Sequence, residues 1–567
     1  MKLNVKLLAI FAACLSAASI LNAQPADVGI QQTHIQILIN QANQTADAFG
    51  GEKVDQVSGG GMNFFMFGAK GPELVRVLST LSTLSTLSTP SALNVPVNNP
   101  KEPEDFISRL AGNTQSEESV AWCGTNALVG FNDSGSFVKT LTGTISPSGS
   151  LSFDSWSRSM NAGTSFVDKG ILVADPLGFP LPAPIRFRDL FGDPVLGCSN
   201  STTFYYASLA TDTSFVGAVS SGISVSKSAD GGATFQGAIM AVSKPAAIHF
   251  LDKPWMSVDG ATIHVTYTDF FVGAPCLPGQ PGASIEYVRS IAGGAVGTWF
   301  PPVVIDTVCG STGFVQGSQV AVGPAGVVYV AWESFPAGFG IGRTIRLKKS
   351  VNGGASFPLA TTVASVTAVG DGRRVQGLFR TFIDLQGLAV DRTSNPTSGN
   401  VYVTWHDGRR LSQADPFASP GCLVPGRYCF GDILLSRSTT GGGTWSPPFQ
   451  VNNDPLTLGD HLFPAVAVDK AGHVRVVFYD RRRDNRNFLI DTFVGTSVNA
   501  GASWTNDRVT PRSFPAIHAQ DLVVNPTYMG DYLGIAADKL NTYPGVIVAW
   551  GDNSLGDPNV VAAKRVP

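Results

Sequence analysis

Short apolar runs, each four to eight residues long, follow one another along most of the chain and are separated by Gly, Asp and Asn. Such runs are typical of β-strands joined by tight turns. From about Ser116 the runs come in pairs, in which a first strand, a turn and a second strand ending in an acidic residue form one unit. Seven such units can be counted, among them GLAVD with VYVTWHD and PAVAVDKAG with VRVVFYD. A unit repeated in this way predicts a repeat architecture.

A turn motif follows most of these units. Its form is Ser, any residue, Asp or Asn, any residue, Gly, any residue, Ser or Thr, and an aromatic residue. An Asx side chain can accept hydrogen bonds from backbone amides ahead of it, and glycine accepts a positive φ. A degenerate sixth copy ends in Gly297-Thr298-Trp299. Five good copies lie at residues 159–166, 228–235, 350–357, 438–445 and 497–504, and in the fourth of them Thr440 stands in place of Asp or Asn.

This motif resembles the Asp box, or bacterial neuraminidase repeat, of the sialidase-like superfamily. The resemblance covers residues 116–567 and implies an all-β propeller whose boxes join the third and outermost strands of each blade, away from the binding cleft. The seventh unit ends at NVVAAKRVP without a box or a fourth strand. We therefore expect a strand from before Ser116 to complete a seventh blade. Six blades, as in known sialidases, plus an extra hairpin are the alternative.

The N-terminal region has a different composition. Residues 1–23 have the layout of a secretory signal peptide, which predicts a secreted or periplasmic protein, with a lipoprotein anchored through Cys14 as the alternative. Residues 24–115 form an extension with a possible amphipathic helix at 33–49 and a linker of four Leu-Ser-Thr repeats at 78–89. No apolar stretch approaches the roughly 20 residues of a membrane span.

Cysteine content and charge narrow the function further. Removal of Cys14 with the signal leaves six cysteines, which predicts disulfides, and Cys422 with Cys429 is the favoured local pair. Their spacing matches no zinc pattern. The formal net charge is −3, without the basic stripe that nucleic-acid binding requires. A glycan or glycoconjugate is the expected partner, and a protein surface is the alternative.

Polar residues at the strand ends supply the candidate chemistry. In a propeller, the segments that enter the inner strand and leave the second strand converge on one opening. A pair of carboxyl groups there could cleave a glycosidic bond, one as acid and one as base or nucleophile. Tyr532 is a candidate nucleophile, because sialidases use a late tyrosine, or a residue that lines the opening. The segments contain Glu117, Glu118 and Lys253, and the favoured acids are Asp193, Asp252, Glu333 and Asp531.

Two arginine clusters, HDGRR and FYDRRRD, follow strand-ending aspartates of adjacent units. Guanidinium groups bind carboxylates through two parallel hydrogen bonds, and sialidases hold their substrate's carboxylate with three arginines. Arg409 and Arg481 are therefore the expected substrate-binding pair, at matching positions beyond Asp407 and Asp480. Ion pairing with those aspartates is the alternative.

The two histidines at these strand ends, His406 and His461, are further binding candidates. Together with the acids they could hold calcium, although no DxDxDG-like loop is present. No other cofactor is expected.

The resemblance thus implies a secreted, exo-acting glycoside hydrolase of the sialidase type that acts on an acidic glycan. The Arg-Ile-Pro motif that opens sialidase catalytic domains is absent. The competing hypothesis is a non-catalytic exported propeller that binds glycan or protein surfaces. Asp boxes occur in both kinds of protein, so they predict fold rather than activity.

Overall fold

A computed structural model gives the fold of the chain. It describes residues 25–49, 95–96, 114–141, 150–175, 186–214, 219–310, 313–339, 342–369, 383–414, 427–455, 459–516, 529–554 and 558–566, with single residues at 57, 61, 64, 68, 69, 375, 380 and 381. The proposed signal peptide at 1–23 lies outside these residues, as do the Leu-Ser-Thr repeats.

The described strands form seven antiparallel sheets, the blades of a propeller. In blade 1 they are Gln115–Cys123, Asn126–Asp133, Asp154–Ser159 and Val167–Ile171. Those of blade 2 are Arg186–Leu190 with Val195–Cys198, then Phe204–Ser214, Val219–Ser228 and Ile239–Pro245. Blade 3 has His249–Asp259, Thr262–Val272, Pro281–Ser290 and Val303–Cys309. Blade 4 has Phe314–Val322, Val328–Phe339, Thr344–Ser350 and Ala360–Ser365.

The remaining blades follow the same order from inner to outer strand. Blade 5 has Leu385–Val390, Val401–Ala414, Arg427–Ser438 and Phe449–Gln450. The strands of blade 6 are His461–Val468, Val474–Asp480, Leu489–Ser497 and Thr505–Arg508, with Phe514–Pro515 beside the third. Blade 7 consists of Gly534–Ala537, Val546–Asp552, Asn559–Arg565 and Val95–Pro96.

The ring closes through the N-terminal strand. Val95 pairs with Ala562 and Pro96 with Val561, so Val95–Pro96 is the fourth strand of blade 7. The inner strand of blade 1 also packs against the inner strands of blades 2 and 7. The prediction of seven blades closed by a strand from before Ser116 is confirmed, and the six-bladed alternative is wrong.

The turn motifs lie where the third strand of a blade leads to the fourth. In each of six turns, including the degenerate copy at Ser290, the hydroxyl of the first serine accepts a hydrogen bond from the N–H of the glycine four residues later, at 2.8–3.1 Å. Those glycines all have positive φ, between 74° and 86°. The Asx side chain closes the turn: Asn499 Oδ1 accepts from the Ser503 amide at 2.9 Å.

A basic residue directly before the turn joins neighbouring blades. Arg158 donates to the Asp230 carbonyl of blade 2 at 3.2 Å, and Lys349 donates to the Gly441 carbonyl of blade 5 at 2.7 Å. Arg289 and Arg437 make the same contact with the next turn. Blade 6 has Thr496 at this position, and blade 7, which follows it, has no turn motif. The basic residue thus occurs where the next blade offers a carbonyl to receive it.

Helices and disulfides complete the description. Helix α1 spans Pro25–Phe49, where the sequence predicts a helix, and helix α2 spans Ser134–Leu141. A disulfide between Cys123 and Cys198 joins the inner strands of blades 1 and 2, and a second links Cys276 to Cys309 in blade 3. Two disulfides are consistent with an extracellular or periplasmic protein. Cys422 lies outside the described residues, so its pairing stays a prediction. No helix within the described ranges is long and apolar enough to cross a membrane.

Candidate functional site

The inner strands share a backbone irregularity close to where they begin. Three residues at these positions, Glu117, Asp193 and Lys253, have left-handed backbones with φ of 59°, 56° and 49°. The strands of blades 1 and 3 also shift register there. Left-handed φ in residues other than glycine costs of order 1–3 kcal/mol and is concentrated at functional sites. The irregularity brings charged side chains from several blades together.

A cluster of three carboxyl groups lies at the centre of this arrangement. Glu117 Oε2 accepts from Asn132 Nδ2 at 2.9 Å, and Glu117 Oε1 accepts from the Asp531 amide at 3.2 Å. Asn132 Oδ1 in turn accepts from the Asp193 amide at 3.0 Å. Glu117, Asp193 and Asp531 are all fully buried. The structure therefore brings two of the predicted acids, Asp193 and Asp531, together with Glu117.

The environment of Glu117 favours its protonated form. Burial raises its pKa well above 4.5, and the nearby charges of Asp193 and Asp531 raise it further, whereas Lys253 lowers it. The side-chain interaction of Glu117 with Asp193 also raises the pKa of Glu117. A negative charge beside a carboxyl group disfavours the ionised form of that carboxyl. The surroundings of Glu117 therefore favour its protonated form over its ionised form.

Two buried cations border the three carboxyls. Arg380 Nη2 is 3.2 Å from Asp531 Oδ2. Lys253 Nζ lies 3.8 Å from the centre of the Tyr532 ring, a cation–π contact. The Tyr532 hydroxyl donates to the Pro194 carbonyl at 3.0 Å. In this geometry the Tyr532 ring lines the site and supports Lys253. A role for Tyr532 as nucleophile stays a prediction.

Asp252 lies next to this group. Its Oδ2 accepts from Gln316 Nε2 of blade 4 at 2.7 Å, and Gln316 Oε1 accepts from the Thr268 hydroxyl. We call Glu117, Asp193, Asp252, Lys253, Arg380, Asp531 and Tyr532 the central cluster.

Glu333 belongs to a separate buried network. Its Oε2 accepts from the Asp384 and Leu385 amides at 2.9 and 3.2 Å. Burial and the charge of Asp384 raise the pKa of Glu333 to about 8, although Arg343 opposes the shift. Arg343 Nη1 binds Asp384 Oδ2 at 2.6 Å. These contacts link blades 4 and 5 through Glu333.

His406 is part of the same network. Its Nδ1 accepts from the Phe463 amide at 3.4 Å, so the ring proton is on Nε2, which is 3.1 Å from Asp384 Oδ1. This places His406 between blades 5 and 6. The contacts give it a positioning role in the fold, and its predicted role in binding stays a prediction.

The two arginines favoured from sequence do not occupy matching positions. Arg409 binds Asp407 through Nε at 2.7 Å and Nη2 at 2.6 Å. The residue that repeats this geometry on Asp480 is Arg482, with Nε at 2.6 Å. The expectation that Arg409 and Arg481 match is therefore wrong. The chain turns after each aspartate, and the side chain that folds back onto it comes from the second residue along.

Arg481 is held elsewhere in blade 6. It is buried, with Nη1 2.9 Å from the Asn487 carbonyl and 3.4 Å from Asp460 Oδ2. The ion pair predicted as the alternative is therefore present for Arg409, which binds Asp407. Arg481 forms its ion pair with Asp460 and not with Asp480. Substrate binding by either arginine stays a prediction.

His461 is the centre of an ionic cluster in blades 5 and 6. Its Nδ1 donates to the Gly431 carbonyl at 2.8 Å, and its Nε2 is 3.2 Å from Asp454 and 3.5 Å from Asp480. Burial lowers the pKa of His461, but the carboxylates of Asp480 and Asp454 outweigh it and raise the pKa to about 9. The ring is therefore a buried cation that balances these carboxylates.

The sequence placed Glu117, Glu118 and Lys253 at the opening without assigning them a role, and it did not indicate Arg380. Glu117 and Lys253 enter the central cluster because of the left-handed backbone, which their residue types do not predict. Arg380 lies outside any described strand. Glu118 is also buried, and burial raises its pKa to about 8. Within the described part of the chain, no group of three or more His, Cys, Asp or Glu side chains could hold a metal ion.

Comparison with known proteins gives matches to solved structures only. No family model and no curated protein matches the chain. A Hadza microbial sialidase is 14% identical, with 72% of this chain and 73% of that chain covered and a TM-score of 0.37. A Penicillium chrysogenum α-L-arabinanase is 11% identical, with 84% and 99% covered and a TM-score of 0.39. At these values the matches carry no argument about activity, and the fold rests on the strand pairing described above.

Proposed function

We propose that this protein is a carbohydrate-active propeller, a glycoside hydrolase that cleaves its substrate at the central cluster. The observation that supports this is the cluster of three buried carboxyls, Glu117, Asp193 and Asp531, in which burial and neighbouring charge raise the pKa of Glu117. Cleavage of a glycosidic bond needs one carboxyl that holds a proton at working pH and a second that acts as base or nucleophile. Burial and neighbouring negative charge are the means by which proteins provide the first.

Three side chains of the central cluster have different roles in the proposed cleavage. Glu117 donates its proton to the leaving glycosidic oxygen, and the negative charge of Asp193 helps to keep that proton on Glu117 until the substrate arrives. Asp531, fixed by Arg380 and by its own amide on Glu117, takes a proton from the water that attacks the anomeric carbon, so that a bond to water replaces the glycosidic bond. These roles follow from which group is placed to hold the proton and which is ion-paired.

The substrate class follows from Lys253. This residue is 4% exposed, and its Nζ has no hydrogen-bond acceptor among the described residues. A buried ammonium gains a charge-assisted hydrogen bond from an incoming carboxylate, while the Tyr532 ring holds it in place. We therefore propose an acidic sugar, as in sialidase-type exo-hydrolysis by an exported protein. In this proposal Lys253 binds the substrate's carboxylate, the role that the sequence analysis assigned to Arg409 and Arg481.

The test is a panel of fluorogenic glycosides that includes sialosides and uncharged sugars. Glu117→Gln should reduce kcat by about 10²–10⁴-fold, the usual contribution of a general acid. Asp230→Asn, the same neutralising change in a turn motif, should leave turnover unchanged. Lys253→Gln should raise KM for acidic glycosides more than for neutral ones. Turnover that survives Glu117→Gln, or no turnover of any glycoside after the mouth has been opened as described below, rejects the proposal.

A binding function is the second candidate, and the full burial of Glu117, Asp193 and Asp531 favours it. Glycan binding without turnover, after the mouth has been opened as described below, would establish it.

A further inference from the structure

The N-terminal segment lies over the central cluster. Helix α1 buries Ile35, Leu38, Ile39 and Ala42 in one apolar cluster with residues of blades 2 and 3. Further along, Val57 and Phe64 belong to the same apolar cluster and are 4% and 3% exposed. We call the described residues 34–48, 57, 61 and 64 the plug.

Polar contacts fix the helical part of the plug. His34 Nε2 is 3.0 Å from Asp189 Oδ1, and both side chains are completely buried. Gln41 Nε2 donates to the Ala246 carbonyl at 3.1 Å. Burial of a histidine–carboxylate pair is tolerated only with such geometry, because each group loses its water. The helix is therefore seated at a defined position on blade 2.

The rest of the plug contacts the central cluster itself. The Val57 carbonyl accepts from Arg380 Nη2 at 2.7 Å, and the same nitrogen faces Asp531. A Cβ added to Gly61 would lie 2.7 Å from Asp252 Oδ1 and 3.0 Å from Phe250, so the plug backbone lies directly against that carboxylate. The plug thus contacts two members of the central cluster.

An aromatic contact completes the plug. Phe64 packs edge-on against Phe191 at 4.9 Å and stacks on Phe250 at 5.9 Å between ring centres. Phe191 and Phe250 each precede a cluster acid, Asp193 and Asp252, by two residues. Packing around Phe64 is incomplete, since a small cavity is lined by Thr45, Phe64, Phe191 and Phe250.

We propose that the plug occupies the mouth in the substrate's place, and that a glycan gains access only when the plug is displaced. A carbonyl on Arg380, a backbone against Asp252 and a ring on the Phe191–Phe250 pair are the kinds of contact that sugar hydroxyls and a sugar ring make. Those four side chains are then glycan-binding residues. This inference rests on the proposed function for the substrate class.

The test uses the full chain with a site for a specific protease inserted in the Leu-Ser-Thr repeats at 78–89. After cleavage, Val95–Pro96 stays in blade 7 and the plug is held only by its contacts. Gly61→Val should expel it, because the new side chain overlaps Asp252 and Phe250. Asn40→Val, on the exposed face of α1, is the matched control. Size-exclusion chromatography and hydrogen exchange of residues 34–48 report whether the plug is retained.

We expect the cleaved parent and the Asn40→Val protein to keep the plug, and the cleaved Gly61→Val protein to lose it. Release should increase glycoside turnover at least 10-fold. In parallel, Glu117→Gln proteins with and without the plug are titrated with sialyllactose by calorimetry. Binding that is at least 10-fold tighter after release supports the plug proposal. If no form of the protein turns over any glycoside, the plug proposal stands and the hydrolase proposal is rejected. Release that changes neither binding nor turnover overturns the plug proposal, as does an unprotected α1 in the parent protein.

Discussion

Glu118 provides a stability test that depends on one side chain. It is buried in the inner strand of blade 1, and its Oε1 has no hydrogen-bond partner among the described residues. Burial raises its pKa from 4.5 to about 8. Because the folded pKa is the higher one, the contribution of Glu118 to stability is full below pH 4.5 and is lost as the pH rises to about 8. At about 1.4 kcal/mol per pH unit, the loss is at most about 4–5 kcal/mol.

Glu118→Gln keeps the shape of the side chain and removes the titration. We expect its free energy of unfolding, measured by urea denaturation with tryptophan fluorescence, to lie within about 1 kcal/mol of wild type at pH 5. At pH 9 the variant should be more stable by about 3–5 kcal/mol. Asp230→Asn is the control, because hydrogen bonds in the exposed turn outweigh a small desolvation effect and lower the pKa of Asp230 to about 2, below both pH values. If the free energies of unfolding of Glu118→Gln and wild type differ by the same amount at pH 5 and pH 9, the reasoning is refuted.

Three further predictions concern the fold. His461 has a pKa of about 9, so its contribution to stability is full below pH 6.5 and lost by about pH 9. His461→Gln should therefore lower the free energy of unfolding by about 3 kcal/mol at pH 6 and by much less at pH 10. Equal losses at the two pH values in urea denaturation would contradict this. Lys349→Ala removes the bond to Gly441 and should cost about 1 kcal/mol, seen as a lower Tm, whereas an unchanged Tm would count against the inter-blade contact. Replacing Cys123 and Cys198 by serine opens a cross-link across 75 residues of sequence and should cost about 4 kcal/mol in denaturant unfolding; no loss would show that the bond does not form.

The fold could be predicted because its determinants are local and repeated. Each turn motif requires a serine, an Asx or threonine side chain and a glycine at fixed spacing, and the hydrogen bonds of the turn connect these same residues. The seventh blade followed from a missing element: NVVAAKRVP ends without a partner strand, and a chain that closes into a ring must supply one from its other end. Val95–Pro96 supplies it.

The candidate site could be predicted only in part, because it depends on contacts between blades and on backbone conformation. Asp193 and Asp531 were expected at the opening, and both lie in the central cluster. Glu333 was expected at the same opening from the end of a second strand, yet Arg343 and Asp384 hold it in a different network. Whether Arg481 or Arg482 binds Asp480 depends on how the chain turns after the strand. Strand periodicity carries no information about that turn. The contact of Val57 with Arg380 joins residues 323 positions apart and has no signal in the sequence.

The central claim is that Glu117 is the proton donor of a glycoside hydrolase. The most direct measurement compares kcat for fluorogenic sialosides and neutral glycosides between the cleaved Gly61→Val protein and the same protein carrying Glu117→Gln. The account predicts turnover in the first and a loss of about 10²–10⁴-fold in the second. Equal turnover in the two proteins, or none in the first although its plug has left, would contradict it.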